Sequence, residues 1–233
     1  MISDNIKRLQ EQINKTCEEC GRSSNDLTLV AVSKFFGIES IQQAKESGIN
    51  NFGENRAQEL ALKFEKIGDS VIWHFIGTLQ KNKVKYAVRC AKFIHSIDSL
   101  DLLLEVNKKA ESIGKIQKVL FEVKTSYEDT KSGIESEEEV FRLAEESKKL
   151  NNIEVIGLMT ISPLTEDEKL IRKSFSYLRN LREKLIKSGY TFRELSMGMT
   201  SDFKIAIEEG STILRIGSAI FGQRDYKKDW RQI

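Results

Sequence analysis

Hydrophobic and polar positions along this chain follow two rhythms that take turns. Short apolar runs of the kind that form buried strands fall at 27–33, 49–52, 71–76, 92–97, 117–123, 153–158, 193–197 and 212–216. Between them, 38–47, 54–67, 80–89, 99–112, 135–150, 167–188 and 200–209 carry apolar residues at the spacing of one helix face. Gly48 and Gly189 stand where helices should stop, and Ser99, Ser136 and Asp202 where they should start. Ahead of the first strand, 3–20 reads as an amphipathic helix. Ile6, Leu9, Ile13 and Cys17 form its stripe, Ser3, Asp4 and Asn5 offer caps, and Gly21 with the polar residues 22–26 ends it.

Strands that alternate with helices are parallel neighbours joined by crossovers. Eight such strands predict an α/β fold, a single (β/α)8 TIM-type barrel, and 233 residues is close to the roughly 250 typical of one. An open doubly wound sheet is the alternative, but no GxGxxG follows the first strand. With one proline, Pro163, and no linker, the chain reads as a single domain over 1–233. Residues 1–26 are its N-terminal helix and link, 27–226 its barrel, and the extra helix is expected to cover the barrel's bottom.

Charge narrows the partners. Net charge is +2, from 37 basic and 35 acidic residues, which argues against nucleic acid or a membrane as the main partner. Cys17, Cys20 and Cys90 are too few for a disulfide scaffold, and with only His74 and His95 available the lone CxxC does not suggest zinc. No apolar run approaches the ~18 residues of a membrane span, and the first residues lack a signal-peptide core, so a cytoplasmic location is expected. The glutamates of 135–139 read as a solvated helix start. The basic tail 227–231 reads as a solvated end, with Trp230 able to pack back on the body.

A barrel of this kind carries its site at the C-terminal ends of its strands, with phosphate commonly held after strands seven and eight. Strand one is expected to end on Lys34, whose partly desolvated amine would favour the neutral form that attacks carbonyls. Strand two leads into Asn55 and Arg56, and His74 lies inside strand three as a core histidine. After strands seven and eight, Gly198 and Gly217 precede Thr200 with Ser201, and Ser218, near helix starts. Exposed N–H groups and flanking hydroxyls there suit an anion. An amine on strand one and two anion-suited loops fit a phosphorylated aldehyde, and pyridoxal 5'-phosphate (PLP) is such a cofactor. Arg215 could be ion-paired structurally or face the cofactor ring.

The stretches VAVSK (30–34), FGENRAQE (52–59), WHFIG with LQ and NKV (73–84), TKSGI (130–134), GLMTI (157–161), LSMGMTSD (195–202) and RIGSAIFG (215–222) together resemble the pyridoxal phosphate homeostasis proteins. The resemblance spans about 27–226. It implies a barrel like the N-terminal domain of alanine racemases, with PLP carried as a Schiff base on Lys34. It implies phosphate on Thr200, Gly217 and Ser218, Arg215 at the pyridine nitrogen, Asn55 beside the ring, and no established turnover. Thr78, Lys124, Phe35 and Phe36 depart from the family's usual residues, and Lys124 could add positive charge near the pocket.

The leading expectation is therefore a non-catalytic PLP carrier, a monomer whose partners could include apo PLP enzymes. The alternative is an amino-acid racemase of the alanine racemase type. It is disfavoured because racemisation needs two acid/base groups on opposite faces of Cα, and the second comes in those enzymes from a further domain for which this chain leaves no room. An arginine at the pyridine nitrogen would also weaken the ring as an electron sink. A Schiff-base aldolase would not require the phosphate loops.

Overall fold

The computed structural model describes residues 1–126 and 132–223 and contains a closed barrel of eight parallel strands in sequence order, β1 closing against β8. The strands are β1 (Thr28–Val32), β2 (Asn51–Glu54), β3 (Ile72–Phe75), β4 (Phe93–Ile97), β5 (Gln117–Glu122), β6 (Ile153–Met159), β7 (Glu194–Ser196) and β8 (Ile213–Ile216). The helices are α1 (Ile2–Glu19), α2 (Ile38–Glu46), α3 (Ala57–Ile67), α4 (Val84–Cys90), α5 (Leu100–Glu111), α6 (Glu137–Ser147), α7 (Glu168–Lys187), α8 (Phe203–Glu208) and α9 (Ser218–Phe221). Thr130 and Lys131 of the TKSGI stretch, and the basic tail with Trp230, lie outside the described residues.

The run at 212–216 is followed by a short helix, α9, which begins at Ser218, where the sequence places a helix start. One expectation needs correction. Helix α1 does not lie across the barrel's bottom: it packs on α2, α8 and α9. It fills the place in the outer ring that a full-length helix after β8 would hold, fixed there by Asn5 Nδ2 donating to the Ile220 carbonyl (2.9 Å). The Arg22 guanidinium, just past α1, ties in the carbonyls of Ile207 and Ser211.

Alternation along each strand sorts side chains between the two faces of the barrel. Phe52, Trp73, Phe75, Ile94, Val119, Phe121, Leu195, Leu214 and Ile216 belong to the large apolar layer between sheet and helices. Their neighbours point into the barrel. Val30, Leu120, Met159 and Ile213 form a separate small apolar cluster there. In phase with them stand polar side chains: Asn51, His74, His95, Ser196, Arg215 and, near the mouth, Glu122. An interior that mixes polar and apolar layers is costly unless each polar group finds a partner, and the pairing of those groups shapes the site.

Candidate active-site mouth

Lys34 does not end a strand. β1 stops at Val32, and Lys34 with Phe35 forms a turn in which Lys34 is half-buried. That turn is gripped from below by a buried ionic cluster. The Lys63 ammonium of α3 donates to the Ser33 carbonyl (2.8 Å), Glu54 Oε1 (2.7 Å) and Glu59 Oε1 (2.8 Å), using all three of its protons. Ser33 Oγ donates to Glu54 Oε1 (2.6 Å), and the Phe35 N–H donates to Glu59 Oε1 (2.8 Å). The residues on both sides of Lys34 are thus clamped. Phe35 takes φ 69°, a conformation costing an L-residue about 1–2 kcal/mol. Lys63, Glu54 and Glu59 are each at most 2% exposed. Burial pushes Glu54 up to about 7, with Lys63 opposing and Glu59 reinforcing the rise. Lys63, with every proton engaged, is not the amine available for chemistry.

A chain of hydrogen bonds crosses the barrel interior from β8 to β2. Arg215 donates through one nitrogen to Ser196 Oγ (2.7 Å) and through another to the Thr160 carbonyl (2.8 Å). Ser196 Oγ lies 2.9 Å from His95 Nδ1, His95 Nε2 lies 2.9 Å from His74 Nδ1, and His74 Nε2 lies 3.0 Å from Asn51 Oδ1. Arginine only donates, so Ser196 accepts from it and donates to His95. Each histidine then carries its proton on Nε2, and His74 passes the last donor to Asn51. Both rings stay neutral. Burial, then Lys92, lowers His74 to about 3, and burial, then His74 and Arg215, holds His95 well below the usual histidine range. Burial also lowers Arg215 to about 10, opposed by Asp202 and Glu122. The core-histidine reading of His74 holds, with a partner on each ring nitrogen.

Thr200 and Ser218 meet: their hydroxyl oxygens are 3.2 Å apart, and the Ala219 N–H donates to Thr200 Oγ1 (3.4 Å). Gly217 stands at the cap of α9, two residues beyond Arg215. Asp202 secures the loop after β7 by accepting from Ser162 Oγ and the Met199 N–H. Gly198 serves the packing of the barrel. A Cβ there would fall 2.6 Å from Ala206 Cβ and 2.9 Å from Leu214 Cδ2, so its φ of 98° and missing side chain serve the packing of α8 on β8. Asn55 sits past β2, its backbone so close to Gly77 that a Cβ on Gly77 would lie 2.3 Å from the Asn55 carbonyl oxygen. Asn55 Oδ1 is buried with no partner. Thr200, Gly217 and Ser218 therefore form one group, Arg215 is its neighbour on β8, and Lys34 and Asn55 follow the adjoining strands β1 and β2. A cavity of about 160 Å³ opens on the far side of the mouth, beside β5.

The whole chain matches known sequences. Residues 3–225 fit the family model for the alanine racemase N-terminal domain. The pyridoxal phosphate homeostasis protein of Aquifex aeolicus is 42% identical over 96% of this chain and 98% of its own. That of Vibrio cholerae is 37% identical over 98% of each. This chain belongs to that family. Among solved structures, PipY of Synechococcus elongatus with PLP bound superposes on this family member with TM-score 0.85, at 30% identity over 95% of this chain and all of PipY. Alanine racemase of Clostridium difficile, at 15% identity and TM-score 0.76, shares the fold over 97% of this chain and 61% of its own. The ionic clamp under Lys34 and the chain across the barrel escaped sequence reasoning. The visible traces of the clamp were the i,i+4 pair Glu59–Lys63 and a glutamate at the end of an apolar strand.

Proposed function

We propose that this chain carries PLP on Lys34 and serves PLP homeostasis without catalytic turnover. The observation that carries the reading is the closed barrel, which sets the ends of β7, β8, β1 and β2 side by side. A half-buried amine, two touching hydroxyls and a buried arginine are thereby gathered on one arc of the mouth. The PLP-bound state of PipY, similar over the whole chain, supports it. The residues present fit such a group: Asn55 Oδ1 is a buried acceptor without a partner, and the Thr200–Ser218 pair offers donors to an anion.

When bound, PLP supplies an aldehyde that condenses reversibly with an amine and a phosphate that needs several donors. Thr200, Ser218 and the backbone at Gly217 would hold the phosphate, Arg215 would face the ring nitrogen, and Asn55 would line the ring. The clamp of Lys63, Glu54 and Glu59 fixes the turn that presents Lys34, so little conformational freedom is lost on binding. His74 and His95 are neutral and fully hydrogen-bonded, which leaves them no proton to exchange in the mouth and supports a carrier over a racemase. The protein is read as a cytoplasmic monomer; no helix among the described residues is long and apolar enough to cross a membrane.

Mixing PLP-loaded protein with an apo PLP enzyme tests the carrier role, with recovery of that enzyme's activity as the readout. Transfer faster than spontaneous release is expected, together with no interconversion of L- and D-alanine by the carrier alone. Brisk racemisation would replace this reading with the racemase one.

A further inference from the structure

The cavity beside β5 has features that the cofactor reading does not use. Glu122 falls in phase with Leu120 on β5 and so points into the barrel mouth, whereas Val119, Phe121 and Val123 join the outer layer. Glu122 is 6% exposed and lines the cavity; its backbone carbonyl accepts from the Ile134 N–H, while its carboxylate has no hydrogen-bond or ion-pair partner among the described residues. Ser126 Oγ, on the same wall, is also buried without a partner. Two unmet polar groups facing one cavity are costly unless a ligand or water meets them. The hydroxyls of Thr78, Thr125 and Ser132 and the ammonium of Lys124 add to the polar lining among the described residues, with Val123 and Ile161 as its apolar part. Among the described residues the Lys124 ammonium is held only by Glu135 (3.0 Å), a residue 76% exposed, and so loosely bound a partner can be exchanged.

These charges select among ligands. A bare cation would suit Glu122 but is repelled by Lys124, and a bare anion meets the reverse. A neutral ligand leaves the buried carboxyl unmatched. Size sets a further limit: an apolar cavity of about 150 Å³ is known to take benzene, which has as many heavy atoms as alanine. We propose that this pocket is a binding site for a small zwitterionic α-amino acid, with its ammonium on Glu122 and its carboxylate on Lys124. The site goes beyond the cofactor reading and does not need Lys34 to carry a carbonyl. Burial, with Asp98 reinforcing and Arg215 opposing, pushes Glu122 up to about 7, the sign of a carboxylate that lacks a close cation. A ligand ammonium supplies that cation.

Calorimetric titration of the purified protein, incubated with PLP and then reduced with borohydride, tests the proposal with glycine, L-alanine and L-serine as probes. Saturable binding is expected, with L-tryptophan, ethylamine and propionate each binding at least about tenfold more weakly. Glu122→Gln and Lys124→Ala should each weaken alanine binding by about tenfold or more. Lys124→Ala alters only the rim, so it remains decisive if Glu122→Gln fails to fold. Absence of saturable alanine binding overturns the proposal, as does ethylamine or propionate binding as well as alanine, or binding that survives both pocket substitutions. The mass of the reduced protein separates the two readings. An adduct without alanine binding defeats this inference alone, and alanine binding without an adduct defeats the cofactor reading alone.

Discussion

At the scale of single residues, buried groups that titrate away from their usual range give the mouth its pH behaviour. Glu122 has a folded-state value of about 7 against 4.5 for an ordinary glutamate. The folded state therefore holds its proton more tightly, and stability is lost as pH rises from about 4.5 through 7. Glu122→Gln should match the parent near pH 4.5 and exceed it above pH 7 by up to about 3 kcal/mol, read from denaturant unfolding at a series of pH values. The two histidines act in the opposite direction. With values far below 6.5 they stay neutral in the fold while the unfolded chain protonates, so stability falls as pH drops below 6.5. Each costs about 1.4 kcal/mol per pH unit. Replacing His95 by Gln should flatten the acid limb of the stability profile by about one proton, measured in the same way. At the cofactor end, Thr200→Ala or Ser218→Ala should each weaken PLP retention by about 1–3 kcal/mol, the worth of a charge-assisted hydrogen bond, as measured by equilibrium dialysis.

Elements position these residues through contacts between neighbouring strands and loops. The clamp joins the ends of β1 and β2 to α3, and its ammonium is the sole counter-charge that any described contact gives the two carboxylates. Lys63→Met would leave Glu54 and Glu59 buried and uncompensated, and should cost about 3–5 kcal/mol in chemical denaturation. Glu59→Gln keeps an acceptor for the Phe35 N–H and should preserve cofactor binding better than Glu59→Leu. The loops after β2 and β3 touch backbone to backbone, so Gly77→Ala must push Asn55 aside, lowering both melting temperature and cofactor retention. From the sequence, the strand and helix spacing was readable because each element carries its own period and its own stops. The clamp was not, because nothing local to Lys63 reveals that Ser33 and Glu54 close over it. Nor was the purpose of Gly198: a turn glycine and a packing glycine look alike until Ala206 and Leu214 are in place.

For the whole molecule, barrel closure sets β1 against β8 and so brings the strand ends of the candidate site side by side. Eight alternating units with little else between them left few other architectures, so the fold class was legible. The site arc followed from the rule that chemistry sits at the C-terminal strand ends. What the pattern could not supply was pairing across the barrel: the chain from Arg215 through Ser196, His95 and His74 to Asn51 joins five strands whose mutual register only closure sets. The place of α1 was hidden for the same reason, since it depends on how short α9 is. The central claim concerns one amine on this closed rim. Incubation with PLP, borohydride reduction and peptide mapping by mass spectrometry tests it most directly. The account predicts a single reduced pyridoxyl group per chain, on Lys34; a label on another lysine, or none at all, would contradict it.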